Sequence, residues 1–165
     1  MRELAQLKIN NKEFYELYRL SAANLDNARK QAGLTTVQGA GIIIRLDDSG
    51  LVQGTLVHDS YLIDTVNVLK EAGAQAISVN GQRVLATTEL LCLGPSIRVN
   101  GSKEFAPYHI LAIGDPETLL RAYQSSAVYR TIVSLNLIYD VQQSENLVVP
   151  SYGGNYKSLI TKLFA

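Results

Sequence analysis

The chain has 165 residues, 47% of them hydrophobic and 18% charged, a globular composition that excludes a disordered chain. One domain of this size buries roughly 68–70% of its unfolded surface and needs no metal or disulfide to hold together. Lys plus Arg number 15, as do Asp plus Glu. The zero net charge argues against nucleic acid as a partner, because phosphate binding calls for a basic excess. The single cysteine rules out an internal disulfide. No apolar run approaches the roughly 20 residues that span a bilayer, and no signal-peptide pattern opens the chain. Met1 is the only methionine and leads straight into a polar helix, the start expected if an upstream segment has been lost.

Residues 3–32 read as one long helix. Leu4, Asn11, Tyr18, Leu25 and Ala32 recur every seven residues, and Leu7, Phe14, Ser21 and Ala28 fill the second seam position. Such a repeat over about four heptads fits a dimeric coiled coil, with Asn11 setting its register. The flanks carry few charges and Ser21 and Ala28 make a thin seam, so a single helix lying on its own domain is the competing reading. Gly33 is placed to end the helix, and residues 34–40 form a connector.

The β-branched run Gly41–Leu46 predicts a central strand buried on both faces. Asp47-Asp48-Ser49-Gly50 is a turn cluster. Asp59 opens a helix running to about Ala72, with its carboxylate expected to cap the first turn. Leu62, Ile63, Val66 and Leu69 form its apolar stripe, and Gly73 stops it. Asn80-Gly81 separates Ala76–Val79 from Gln82–Leu85, and Asn100-Gly101 separates Ser96–Val99 from Ser102–Phe105. Both are hairpin signals, since each turn residue needs a positive φ. Leu90–Leu93 reads as a buried strand with Cys92 as inert core, and His109–Gly114 as a further strand. Asp115-Pro116-Glu117 then starts a helix to about Leu135, broken near Ser125-Ser126. Leu137–Val141 is a last strand, followed by Val148-Val149-Pro150 and a loop at Gly153-Gly154.

The order gives two strand–helix–strand halves, at about 41–79 and 109–141. It predicts an α/β (α+β) fold: a ferredoxin-like split βαβ sandwich with extra hairpins, both helices on one face. Residues 1–33 are the N-terminal helix and 34–165 the α/β domain.

No catalytic or metal-binding pattern stands out. His58 and His109 are far apart in sequence, and there is no cysteine pair. Phosphate-cradling glycine motifs and a nucleophile elbow are missing, Asp47-Asp48 lacks the later ligands of a calcium loop, and no cofactor is expected. One group of residues suggests a surface. His58 and Asp59 start a helix, and Asn80, Gly81, Gln82 and Arg83 form the hairpin expected at the same end of the sheet. Free helix amides and the Arg83 fork together would suit a carboxylate or phosphate, although Asp59 opposes an anion. The plain alternative is a helix cap, a turn and a surface arginine. His58 with Asp59 as an acid–base pair lacks a third group; Thr87, Thr88 and Tyr152 read as loop structure.

The run Leu56–Leu62, the segment Val66–Val84 with its Ala76-Ile77-Ser78-Val79-Asn80-Gly81-Gln82-Arg83 core, and the later Cys92-Leu93-Gly94-Pro95, Val99-Asn100-Gly101, Ala112–Pro116 and Val149–Tyr152 resemble the uncharacterised YlxW/YlxX-like family of Gram-positive bacteria. The resemblance covers roughly residues 34–155. It implies a membrane helix, then a coiled coil, then an α/β domain outside the membrane, and for some members a link to cell division. No stretch of the residues given reads as that membrane helix. The resemblance thus implies a non-catalytic, membrane-associated interaction or scaffold module, on the extracytoplasmic side of the cell membrane. Its partners would be a second copy through the N-terminal helix and envelope or division proteins. The alternatives are a small-molecule or anion sensor using the His58–Arg83 surface, and a hydrolase or transferase using His58.

Overall fold

The structure is a computed structural model that describes residues 2–48 and 55–154, with backbone alone for residues 2–10. Ser49 and Gly50 of the expected turn, and the heptad side chains of Leu4 and Leu7, lie outside the described residues.

Helix α1 (Arg2–Gln31) leads the chain. The Gly33 amide donates to the Lys30 carbonyl and the Leu34 amide to the Arg29 carbonyl, with Gly33 at φ 72°. This motif satisfies helix-end carbonyls and needs a left-handed residue after the last turn. A Cβ there would also have to displace the end of the Leu85 side chain.

The body is built on β1 (Val37–Asp47), α2 (Asp59–Glu71), β2 (Ala76–Val79), β3 (Gln82–Arg83), β4 (Leu90–Cys92), β5 (Ile97–Val99), β6 (Ser102–Glu104), β7 (Tyr108–Ile113), α3 (Pro116–Ser125), α4 (Ala127–Ser134) and β8 (Ile138–Val149). Five strands form one sheet in the order β3-β2-β7-β1-β8, and β4-β5-β6 form a second. Every pairing is antiparallel. The two expected halves interleave: β7 lies between β1 and β2, and β8 lies on the far side of β1.

Period-two alternation sorts β1. Ile42, Ile44 and Leu46 are fully buried, in one core with Leu62, Leu69, Leu119 and Ile132 of the helices. Full burial of each such side chain contributes roughly 1.5–3 kcal/mol. Ile43 and Arg45, on the opposite face, are only half-buried, so β1 is not closed on both faces as expected. That other face holds a smaller cluster of Ala76, Ile113, Leu147 and Val149.

The second helical region follows its sequence signals. Asp115 accepts the Thr118 amide at 2.8 Å, Pro116 stands in the first turn, and Ser126 ends α3 and caps α4 through Tyr129. Two boundaries move outward. β1 starts at Val37, and β8 runs for 12 residues where only Leu137–Val141 was expected. The two strands stay paired across a bulge between Gly39 and Gly41.

Candidate functional site

At the start of α2, His58 is the capping residue by position, but its side chain makes no capping bond. Asp59, the first residue of the helix, accepts a first-turn amide as expected and bonds outside the helix as well. Its carboxylate accepts the Cys92 amide at 2.9 Å and the Ser60 amide at 2.9 Å. In return the Asp59 amide donates to the Cys92 thiol at 3.1 Å. A reciprocal pair therefore fastens α2 to β4 of the second sheet. The Cys92 amide bond is the main cause that holds the Asp59 carboxyl below its usual range.

His58 is exposed, edge-on to Tyr61 with ring centroids 5.7 Å apart, and its Nδ1 lies 3.9 Å from the Cys92 sulfur. Cys92 is half-buried and its strand is not the closed core element expected, since Leu91 and Leu93 are each 40% exposed. Burial pushes the Cys92 thiol above its ordinary pKa, which suits a resting thiol and not an activated nucleophile.

The first Asn-Gly turn forms as expected, with Asn80 at φ 46° and Gly81 at φ 79°. Asn80 does more than turn the chain. Its side-chain oxygen accepts the His109 amide at 2.7 Å, and its own amide donates to the His109 carbonyl at 2.9 Å. This extends the β2–β7 ladder by one rung. Gln82 is half-buried and pairs with Val79 across the hairpin.

Arg83 corrects the sequence reading most. It is 3% exposed and offers no surface fork. Nη1 donates to the carbonyls of Thr35 at 3.0 Å and Pro150 at 3.1 Å, and Nη2 to the Lys30 carbonyl at 2.8 Å. Its own carbonyl accepts the Asn100 side-chain amide at 2.8 Å. A guanidinium suits this task because its donors form a rigid plane, and the negative end of a helix dipole favours a cation. Thr35 precedes β1 and Pro150 follows β8, whereas α2 starts beyond the opposite end of β1. Arg83 and the start of α2 therefore serve opposite ends of the sheet. The first α2 amides are also occupied: Asp59 by Cys92, Ser60 by the Asp59 carboxylate and Tyr61 by the His58 carbonyl. The expected anion pocket is not assembled.

The joint around Arg83 was not foreseen in the sequence. It brings together the foot of α1, the connector and the exit of β8, with the Tyr152 amide donating to the Gly33 carbonyl at 2.8 Å. Beside it, Asn27, Lys30 and Gln31 share a cavity of about 430 Å³ with Gly73, Ala74 and Gln75 of the α2–β2 turn. From Asn11 to Ala32 every residue of α1 is exposed, with Phe14 at 64%, Leu17 at 67% and Tyr18 at 66%. α1 thus does not lie on its own domain. Among the described residues, no cluster of His, Cys, Asp or Glu would hold a metal, and no helix is long and apolar enough to cross a membrane.

Comparison with known proteins matches this arrangement to an uncharacterised group. A solved structure titled as an uncharacterized conserved protein from Mycobacterium tuberculosis superposes with a TM-score of 0.71 at 29% identity, covering 80% of this chain and 93% of that one. UPF0749 protein YlxW of Bacillus subtilis (strain 168) is 36% identical over 115 residues, 66% of this chain and 49% of the relative. UPF0749 protein Rv1823 of Mycobacterium tuberculosis (strain ATCC 25618 / H37Rv) is 30% identical over 138 residues, 76% of this chain and 45% of the relative. The chain spans about half the length of these two relatives. None of these names carries an activity. Residues 24–161 match the family model described as "Bacterial protein of unknown function (DUF881)", and the chain belongs to that family.

Proposed function

We propose that the chain is a non-catalytic interaction module of the bacterial cell envelope, which assembles through α1 and meets envelope or cell-division proteins. The observation that carries this reading is the helix itself. Its apolar side chains stay open to solvent along its described length, while its last turn is bound to the body by a buried arginine. Exposed apolar surface of this extent is costly to leave open and marks a partner site. The chemistry around His58 also favours a non-catalytic role, because the Asp59 carboxylate is turned to the Cys92 amide and does not orient the imidazole. The envelope location rests on the family resemblance.

Light scattering on the full chain tests the assembly. A mass above that of one chain is expected, falling to a single chain when Tyr18→Glu and Leu25→Glu place charges on the helix. A single-chain mass for the unaltered protein at high concentration would remove the reading.

A further inference from the structure

The two edges of the five-stranded sheet are unlike. β3 closes one edge with 2 residues, too short a strand to recruit another. β8 forms the other with 12 residues that include no proline, lysine or arginine. Among the described residues no strand lies beyond it, and Asp140, Gln142, Gln143 and Glu145 are exposed. An open edge of this length is a template for a further strand.

Register decides which part of the edge is usable. Gly39 stands opposite Leu147 and Gly41 opposite Ser144, so Glu145 and Asn146 together face Ala40 in a bulge on β8. The regular stretch is therefore 138–144, with Val141 at its midpoint. The Gly114 amide donates to the Ala40 carbonyl, so the even residues of β1 bond to β7 and the odd ones to β8. Asp140 and Gln142, opposite Arg45 and Ile43, point their backbone groups at β1, and Tyr139, Val141 and Gln143 point theirs outward.

We infer that this stretch pairs with the same stretch of a second copy, antiparallel about a two-fold at Val141. Val141 then exchanges backbone bonds with its own copy, and Tyr139 with Gln143. Asp140 faces Gln142, whose amide donates to the Asp140 carboxylate of its own chain at 2.7 Å and keeps a second N–H for the copy. Asp140 and Glu145 are the charged residues of β8, and Glu145 falls outside the paired stretch, so no like charges meet. A two-fold at Gln143 would run the bulge into the pairing, and one at Tyr139 would leave only 138–140 to pair. The stretch is thus complementary to itself in one register.

This pairing rests on the proposed assembly through α1. One pair of short strands buries well under the roughly 1,000 Å² of a stable interface, so it does not hold free chains together. Chains gathered through α1 present several edges at once, and the weak contacts add. Because the edge is a different surface from α1, the assembly continues past the α1 unit instead of closing.

Disulfide trapping in the full chain tests this, on a Cys92→Ser background that removes the single native thiol. A mixture of Asp140→Cys and Gln142→Cys chains should form a covalent dimer under mild oxidation. Neither chain alone should, because two copies of either site lie beyond the roughly 7 Å between Cα atoms that a disulfide spans. Light scattering on the unaltered chain should show a mass that grows past the α1 unit as concentration rises. Gln142→Glu, which sets a carboxylate against Asp140 of the copy, should stop that growth, and Asp140→Asn added to it should restore it. Both side chains are exposed, so neither change threatens the fold. A mass above one chain with no trapping in the mixture, or growth untouched by Gln142→Glu, would overturn the edge pairing and leave the α1 assembly standing. Trapping of Asp140→Cys with itself would overturn the register. A single-chain mass at every concentration would defeat the assembly on which the inference rests.

Discussion

Leu62 and Leu69 of α2 have no exposed surface, whereas Leu17 and Leu25 of α1 are 67% and 59% exposed. Both helices carry an apolar stripe at helical spacing, yet only one is covered by the rest of the chain. A stripe says that a helix has something to bury; it does not say whether the cover comes from its own body. In α2 the neighbours are α3, α4 and the strands of the sheet. In α1 every residue from Asn11 to Gln31 is exposed, and Asn27, Lys30 and Gln31 only line an open cavity with the α2–β2 turn.

The sharpest way to break this comparison is to truncate one leucine from each helix. Leu62→Ala is expected to destabilise the body by about 3 kcal/mol, through lost burial and a residual cavity. Leu25→Ala should change the unfolding of a dilute sample by less than about 0.5 kcal/mol and should weaken self-association. Urea unfolding of both variants, read with light scattering, separates the effects. Equal destabilisation by the two substitutions at low concentration would mean that α1 is covered by its own chain.

A smaller effect is expected at the joint between the two regions. Arg83→Ala leaves the carbonyls of Lys30, Thr35 and Pro150 without their donor. It should cost about 2 kcal/mol, since relief of the buried charge offsets part of the lost bonding. Arg83→Lys should recover only part of this, because an ammonium cannot reproduce the planar fork. Full recovery with lysine would show that charge alone holds the joint.

The smallest effect belongs to the start of α2. Asp59 has a lowered carboxyl pKa in the folded protein. Its contribution is therefore fully present above the unfolded value near 3.8 and is lost as pH falls through the lower folded value. Thermal unfolding of Asp59→Asn against the unaltered chain should show a gap at neutral pH that closes toward acid. A gap independent of pH would mean that the Cys92 amide bond is not what lowers the pKa.

Much of the body was legible because its signals are local. The two Asn-Gly turns, the Asp115 cap and the Ser126 break each arise from side-chain chemistry within a few residues. β8 was read short because Gln142, Gln143, Glu145 and Asn146 face solvent at the sheet edge, so no apolar alternation marks them. The tie of Asp59 to Cys92 and the role of Arg83 were missed for a different reason. Both depend on partners 33 to 67 residues away in sequence, and a charged side chain between a turn and an apolar run reads as surface. The resemblance identified the family and left the joint unseen, because the residues that carry it mark the domain and not its bonds.

Hydrogen exchange across a dilution series tests most directly whether α1 awaits a partner. An isolated, uncovered helix is marginal in water and should exchange quickly. Amides of residues 11–25 should gain protection as concentration rises, in step with the mass, while those of β1, β7 and α2 stay constant. Protection of residues 11–25 that is unchanged by concentration, with a single-chain mass, would contradict the account.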